Sequence, residues 1–287
     1  MSVSRKISAG GLWLRLAIFV AVTVLLTLAL AVPLSTLTTD SLASGNEFSQ
    51  RALVPVIHLI PEVLGAAAAW LLPRPVSLKV GGPAKAWLWC LALLLLAFLL
   101  ICVLAARQAQ VNSWSDSGGV AQLLADSWDY SLSSFPSALI HSFISITVLW
   151  GLCRHLLSAA WAGVAAAAAA AVPPCVMSLI VAFELGTFQG VPTALLGALP
   201  ALAAWALFYS GVGRLVDGRG PLTRMVFVGA VLAPTLATLL PQVHPVSLSA
   251  PDALGVTTYN LALYAYVFCL GAIAWALSAL AARRRQV

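Results

Sequence analysis

His58 and Glu62 are the two residues of this sequence whose types and spacing point most directly to chemistry. They lie four apart in the apolar stretch Leu53 to Leu72, LVPVIHLIPEVLGAAAAWLL. A continuous helix would put them on one face, about 6 Å apart along its axis. Glu62 falls near the middle of the stretch, where an ionised carboxylate in hydrocarbon costs at least about 2.5 kcal/mol. It must therefore be protonated, paired or facing water. Pro61 cannot donate to the carbonyl of residue 57, so the helix is expected to open beside the two side chains. A proton or cation relay is the chemistry such a pair supports. Half of a metal site is a second reading, and a neutral Glu62 hydrogen-bonded to a neighbouring helix is the purely structural one.

Further ligands for that pair are sought among the remaining polar residues of the apolar segments. His141, Glu184 and His244 fall at one depth, at the ends of three different segments, and His58 lies in the same half of its own. His58, Glu62, His141 and Glu184 thus form the candidate ion or proton site. No HExxH or HxxxH spacing is present, so no metal site is expected. There is no GxSxG nucleophile motif, and Val80-Gly81-Gly82-Pro83 lacks the lysine and hydroxyl of a phosphate-binding loop. No catalytic residue, cofactor or nucleotide-driven activity is expected in this chain.

The elements that must hold these residues follow from composition. Of 287 residues, 61% are hydrophobic and only 8% charged, with a mean hydropathy of +0.99. A soluble domain carries roughly a quarter charged residues. The class is therefore all-α, a polytopic transmembrane helical bundle in a single membrane domain, with the bilayer as its first partner. The net charge of +6 does not imply nucleic acid, because its meaning depends on how the cations divide across the membrane.

Eight spans are expected, at 12–32, 52–72, 86–106, 137–153, 156–183, 193–213, 225–243 and 259–282. The first apolar run is longer than a signal-peptide core and is read as uncleaved. Arg15, in its first turn, is expected to snorkel to the surface. Residues 107–136 form the longest loop, and within it Val120, Leu123, Leu124 and Trp128 recur at the spacing of a short amphipathic helix. The small residues Ala165 to Ala171 should let a neighbouring helix come close, with Pro173-Pro174 bending the segment beyond them.

Eight spans put both termini on one side. Arg51 and Arg107 then face the other side, and every remaining lysine and arginine faces the terminal side. The positive-inside rule makes both termini cytoplasmic, in a plasma (inner) membrane. The acids sort oppositely, with Asp217 the one carboxylate outside the spans on the terminal side. Cys90, Cys102, Cys153, Cys175 and Cys269 all fall in apolar runs without metal-binding spacing and read as packing residues.

The turn after the sixth span, Gly213-Arg214-Leu215-Val216-Asp217-Gly218-Arg219-Gly220-Pro221-Leu222-Thr223-Arg224, is the most distinctive loop. Arg214, Arg219 and Arg224 make it a surface for anionic lipid or for a cytoplasmic partner. From Trp205 to Pro234 the order Trp205, Tyr209, Gly213-Arg214-Leu215, Gly218-x-Gly220, Arg224, Pro234 resembles bacterial members of the Yip family of multi-span membrane proteins. Their eukaryotic relatives assist vesicle trafficking through Rab GTPases, so the resemblance implies a non-enzymatic membrane organiser.

Three functions are therefore weighed. The leading one is a transport or permeation component for a small solute or ion, using the His58/Glu62 pair. The alternative is a scaffold or assembly factor with a membrane-protein partner or a second copy of itself. The third, an intramembrane enzyme, requires His58, Glu62 and His141 to converge around a water-accessible pocket.

Overall fold

Ser8 starts the first helix: its Oγ accepts from the Gly11 amide at 3.1 Å, satisfying one of the donors that every helix N-terminus leaves open. The computed structural model describes residues 7–31, 33, 36–37, 47–73, 75–76, 119–184, 191–217, 221–239 and 253–283. All regular structure among them is helical. The helices are α1 (Ala9–Ala29), α2 (Glu47–His58), α3 (Ile60–Leu71), α4 (Gly119–Ser142), α5 (Ala159–Glu184), α6 (Val191–Leu215), α7 (Pro221–Leu239) and α8 (Ala253–Arg283). Between α4 and α5 the chain continues as a π-helix, Phe143–Trp150, and a last α-turn, Gly151–Cys153. The expected third span, 86–106, lies outside the described residues.

Two boundaries differ from expectation. Residues 52–72 are not one helix, because α2 ends at His58 and α3 begins at Ile60. Pro61, in the first turn of α3, has no amide to continue the ladder. The Leu59 amide is instead shared between the carbonyls of Pro55 (3.2 Å) and Val56 (3.1 Å). The second difference is in 107–136. Residues 120–129 are the opening turns of α4 rather than a separate short helix. Pro136 marks no boundary: α4 runs through it, and nearby serine hydroxyls bond to backbone carbonyls. Ser137 Oγ donates to the Ser134 carbonyl at 2.9 Å, and Ser142 Oγ donates to the Met225 carbonyl of α7 at 2.6 Å.

Four pairings build the bundle: α1 along α3, α4 along α7, and α6 between α5 and α8, with the π-helix against α5, α3, α7 and α6. Small residues set the separations, as the alanine-rich sequence suggests. A side-chain carbon on Gly271 of α8 would stand 2.6 Å from the Phe208 amide nitrogen of α6. The backbones of α6 and α8 therefore touch where only hydrogen fits. The core contains Phe19, Ala66, Ile146, Trp150, Ala166, Phe208, Val228 and Leu270, all fully enclosed.

Arg15 and Arg224 are enclosed, while Trp13 is 68% and Trp161 66% exposed, and Leu25, Leu199 and Phe268 also point outward. Arg15 does not snorkel. Its Nη1 donates to the carbonyls of Ala69 (2.7 Å) and Trp70 (2.9 Å), capping the C-terminus of α3. Those carbonyls lack partners within their own helix, and the negative end of the helix dipole favours a cation there. Two helical stretches, Ala9–Ala29 and Leu132–Cys153, are long and apolar enough to cross a membrane. Shorter apolar stretches are Ile60–Leu71, Ala159–Pro173, Thr223–Leu232 and Val267–Leu280.

Candidate functional site

The break at Leu59 separates the two residues of the expected pair. His58 is the last residue of α2 and is exposed, whereas Glu62 sits in the first turn of α3, half-buried. An i, i+4 relationship is guaranteed only along an unbroken helix, and the ladder is interrupted between the two residues at Leu59. Glu62 has other company. It lies within Coulombic reach of Tyr209 on α6, and no hydrogen-bond partner of its carboxyl is found among the described residues. Glu184 ends α5, and its side chain lies outside the described residues, as does His244.

His141 is where the site is built. One turn before the π-helix, its Nε2 lies 3.3 Å from the Tyr209 hydroxyl, a hydrogen bond whose direction is set by the imidazole tautomer. Ser145, the third residue of the π-helix, stands beside the same phenol, and its Oγ donates to the His141 carbonyl at 2.7 Å. Trp205 closes the group on one side, with ring centroids 5.9 Å from His141 and 5.5 Å from Tyr209. Phe208 meets Trp205 edge-on at 5.6 Å and fills the space behind it.

Two elements thus meet, the α4/π junction with His141 and Ser145 and α6 with Tyr209, and α3 brings Glu62 within Coulombic reach of the phenol. The π-helix carries side chains off the α-helical register, and such segments recur at functional sites. Trp70 of α3 packs edge-on against Phe143 at 6.2 Å, which fixes α3 against the start of the π-helix. The group contains a carboxyl, an imidazole, a phenol and a hydroxyl, each able to give or take a proton. Tyr209 and Ser145 carry no sequence signal of their own. A tyrosine between Trp205 and Ser210 reads as core until its partner, 68 residues away, is known.

Among the described residues no three His, Cys, Asp or Glu side chains converge as a metal site would require. Cys153, Cys175 and Cys269 are free thiols.

The second candidate, the turn between α6 and α7, is occupied differently from the expected arginine surface. Arg214 ends α6 and lies over the Trp275 ring, 4.0 Å from its centroid, while Trp275 Nε1 donates to Ser210 Oγ at 2.8 Å. Arg224 is not on the surface. It is 0% exposed in the second turn of α7, 5.8 Å from the centre of the Trp150 ring. Arg154, just after the π-helical segment, pairs with Asp217 at 3.3 Å and donates through Nη1 to the Leu157 carbonyl. Arg219 lies outside the described residues.

No family model, curated protein or solved structure matches this chain.

Proposed function

We propose that the chain is an eight-span membrane protein, both termini cytoplasmic, acting as a transport or permeation component that moves a proton or small cation. Its path runs through Glu62, Tyr209, His141 and Ser145. The observation that carries this reading is the Tyr209–His141 hydrogen bond between α6 and α4, with Glu62 of α3 within Coulombic reach of the phenol. Intramembrane ionisable residues that face a bundle interior mark proton and ion pathways. The break at Leu59 adds support, since interrupted helices at membrane depth are tolerated where they line protein or water.

The membrane reading is supported by the outward-facing tryptophans and leucines, the enclosed arginines and the two long apolar helices. The proposed orientation is supported by Arg154, Asp217, Arg214 and Arg224 gathering at one end. These come from three segments that the charge rule assigns to a single side. The test is proton flux into proteoliposomes under an imposed diffusion potential, with Glu62→Gln as the decisive variant.

A scaffold or Yip-like organiser is the second reading, favoured by the packing of Gly213 against Trp150 and of Arg214 over Trp275. It predicts a co-purifying partner that is lost when Arg214 and Arg219 are neutralised, with Glu62 irrelevant. The enzyme reading required His58 to join Glu62 and His141. With His58 exposed beyond the helix break, that reading has no support.

A further inference from the structure

The polar group around Tyr209 leaves a second set of buried polar atoms unexplained. The Nε, Nη1 and Nη2 of Arg224, the Nε1 of Trp150 and the Oδ1 of Asp217 are all enclosed, and none has a hydrogen-bond partner among the described residues. Buried guanidinium groups are ordinarily paired, because removing the charge from water is not repaid otherwise. These atoms are neighbours. Trp150 packs against Gly213, where a side-chain carbon would stand 2.7 Å from Trp150 Nε1, and Arg224 lies over the same indole. Asp217 follows Gly213 by four residues and holds Arg154 through Oδ2.

The charges do not balance. Among the described residues, Arg154 pairs with Asp217, and Arg214 and Arg224 lie within its Coulombic reach, three guanidiniums to one carboxylate. Burial lowers the pKa of Arg224, and Asp217 raises it in part. Burial likewise lowers that of Arg214, with Arg154 adding to the effect and Asp217 opposing it. Each arginine therefore feels the same carboxylate. Two of the three guanidiniums lie against tryptophans, and stacking of that kind leaves N–H edges unused. A planar fork of donors held by its face is the arrangement that recognises a tetrahedral oxyanion bidentately.

We propose that Arg224, Arg214 and Arg154, with Trp150 Nε1, form a binding site for a phosphate oxyanion at the α6–α7 end of the bundle. Asp217 holds Arg154 through Oδ2 and leaves the Arg224 donors without a partner among the described residues. A phosphate monoester carries close to two negative charges and matches the excess. A soluble phosphate offers that tetrahedral oxyanion itself, and the headgroup of an anionic phospholipid offers the related phosphodiester with one negative charge. The site is independent of the Glu62 path and stands if that path fails.

The purified full chain in nanodiscs provides the test. In discs of phosphatidylcholine alone, inorganic phosphate is titrated against chloride at matched ionic strength, and the unfolding temperature is followed. In a second arm, discs containing phosphatidylglycerol are compared with phosphatidylcholine discs. A rise in unfolding temperature that is lost in Arg214→Gln supports the site, assigning it to soluble phosphate in the first arm and to lipid in the second. Arg214 sits at a helix end and is only half-buried, so its variant keeps the fold if Arg224→Gln does not. Asp217→Asn removes the competing carboxylate and should tighten anion binding about tenfold. Absence of a shift in both arms overturns the proposal. So do shifts that persist in Arg214→Gln, or an Asp217→Asn variant whose response is unchanged or lost.

Discussion

The Tyr209 hydroxyl and His141 Nε2 lie 3.3 Å apart and join α6 to the last turn of α4. Trp205 and Phe208 pack around the bond and Tyr209 is buried, so the phenol has little water as an alternative partner. Tyr209→Phe keeps the ring contacts and strands the imidazole nitrogen. Leaving a buried polar group unpaired costs about 1–3 kcal/mol. The expected outcome is a lower unfolding temperature in detergent, together with proton flux reduced by at least about tenfold if the phenol relays the proton.

Arg15 caps α3 from another helix, and its removal should be felt at the far end of that contact. Arg15→Met keeps the length of the side chain but leaves the carbonyls of Ala69 and Trp70 without their charged donor. The expected loss is about 2 kcal/mol, the value of a hydrogen bond to a charged group. Arg15→Lys should recover part of it, since one ammonium can serve the same carbonyls. Equilibrium unfolding of the three proteins side by side checks the order.

Gly271 and Gly10 form a matched pair for the packing argument. A methyl group on Gly271 would meet the backbone of Leu207 and Phe208, which cannot move as a flexible side chain can. Gly271→Ala should destabilise by about 1–3 kcal/mol through overpacking. Nothing lies within 4 Å of the carbon that Gly10→Ala would add, in the first turn of α1. That substitution should be neutral or stabilise by up to about 1 kcal/mol. Thermal unfolding of both variants gives the contrast.

His58 is the negative control for the relay. It ends α2, exposed, on the far side of the Leu59 turn from Glu62. His58→Ala should change stability by no more than about 0.5 kcal/mol and leave flux unaltered. A large loss of flux would mean that the helix break does not separate the two residues functionally.

What the sequence disclosed was local. The helical class follows from hydropathy, the opening at residue 59 from Pro61, and the close helix contacts from the abundance of glycine and alanine. What it concealed was long-range. Arg15 reads as a snorkelling residue because its partner carbonyls lie 54 positions away, at the end of another helix. Tyr209 reads as one more aromatic in an apolar run because nothing nearby in sequence names His141. Arg224 reads as a surface cation because a basic loop usually faces water, and its burial depends on Trp150 in a distant segment. The π-helix of Phe143–Trp150 has no compositional mark at all. A run such as FISITVLW reads as an ordinary apolar α-helix.

The central claim is that Glu62 and the Tyr209–His141 pair carry a proton or cation together. Flux through reconstituted wild-type protein, Glu62→Gln, Tyr209→Phe and the double variant tests it most directly, with a pH-sensitive dye trapped in the vesicles. Groups acting on one path are strongly non-additive. The account predicts that wild-type protein conducts and that each single variant falls by at least about tenfold. The double variant should be no slower than the slower single. An inert wild-type protein, unchanged flux in folded Glu62→Gln, or losses that simply multiply in the double variant would contradict it.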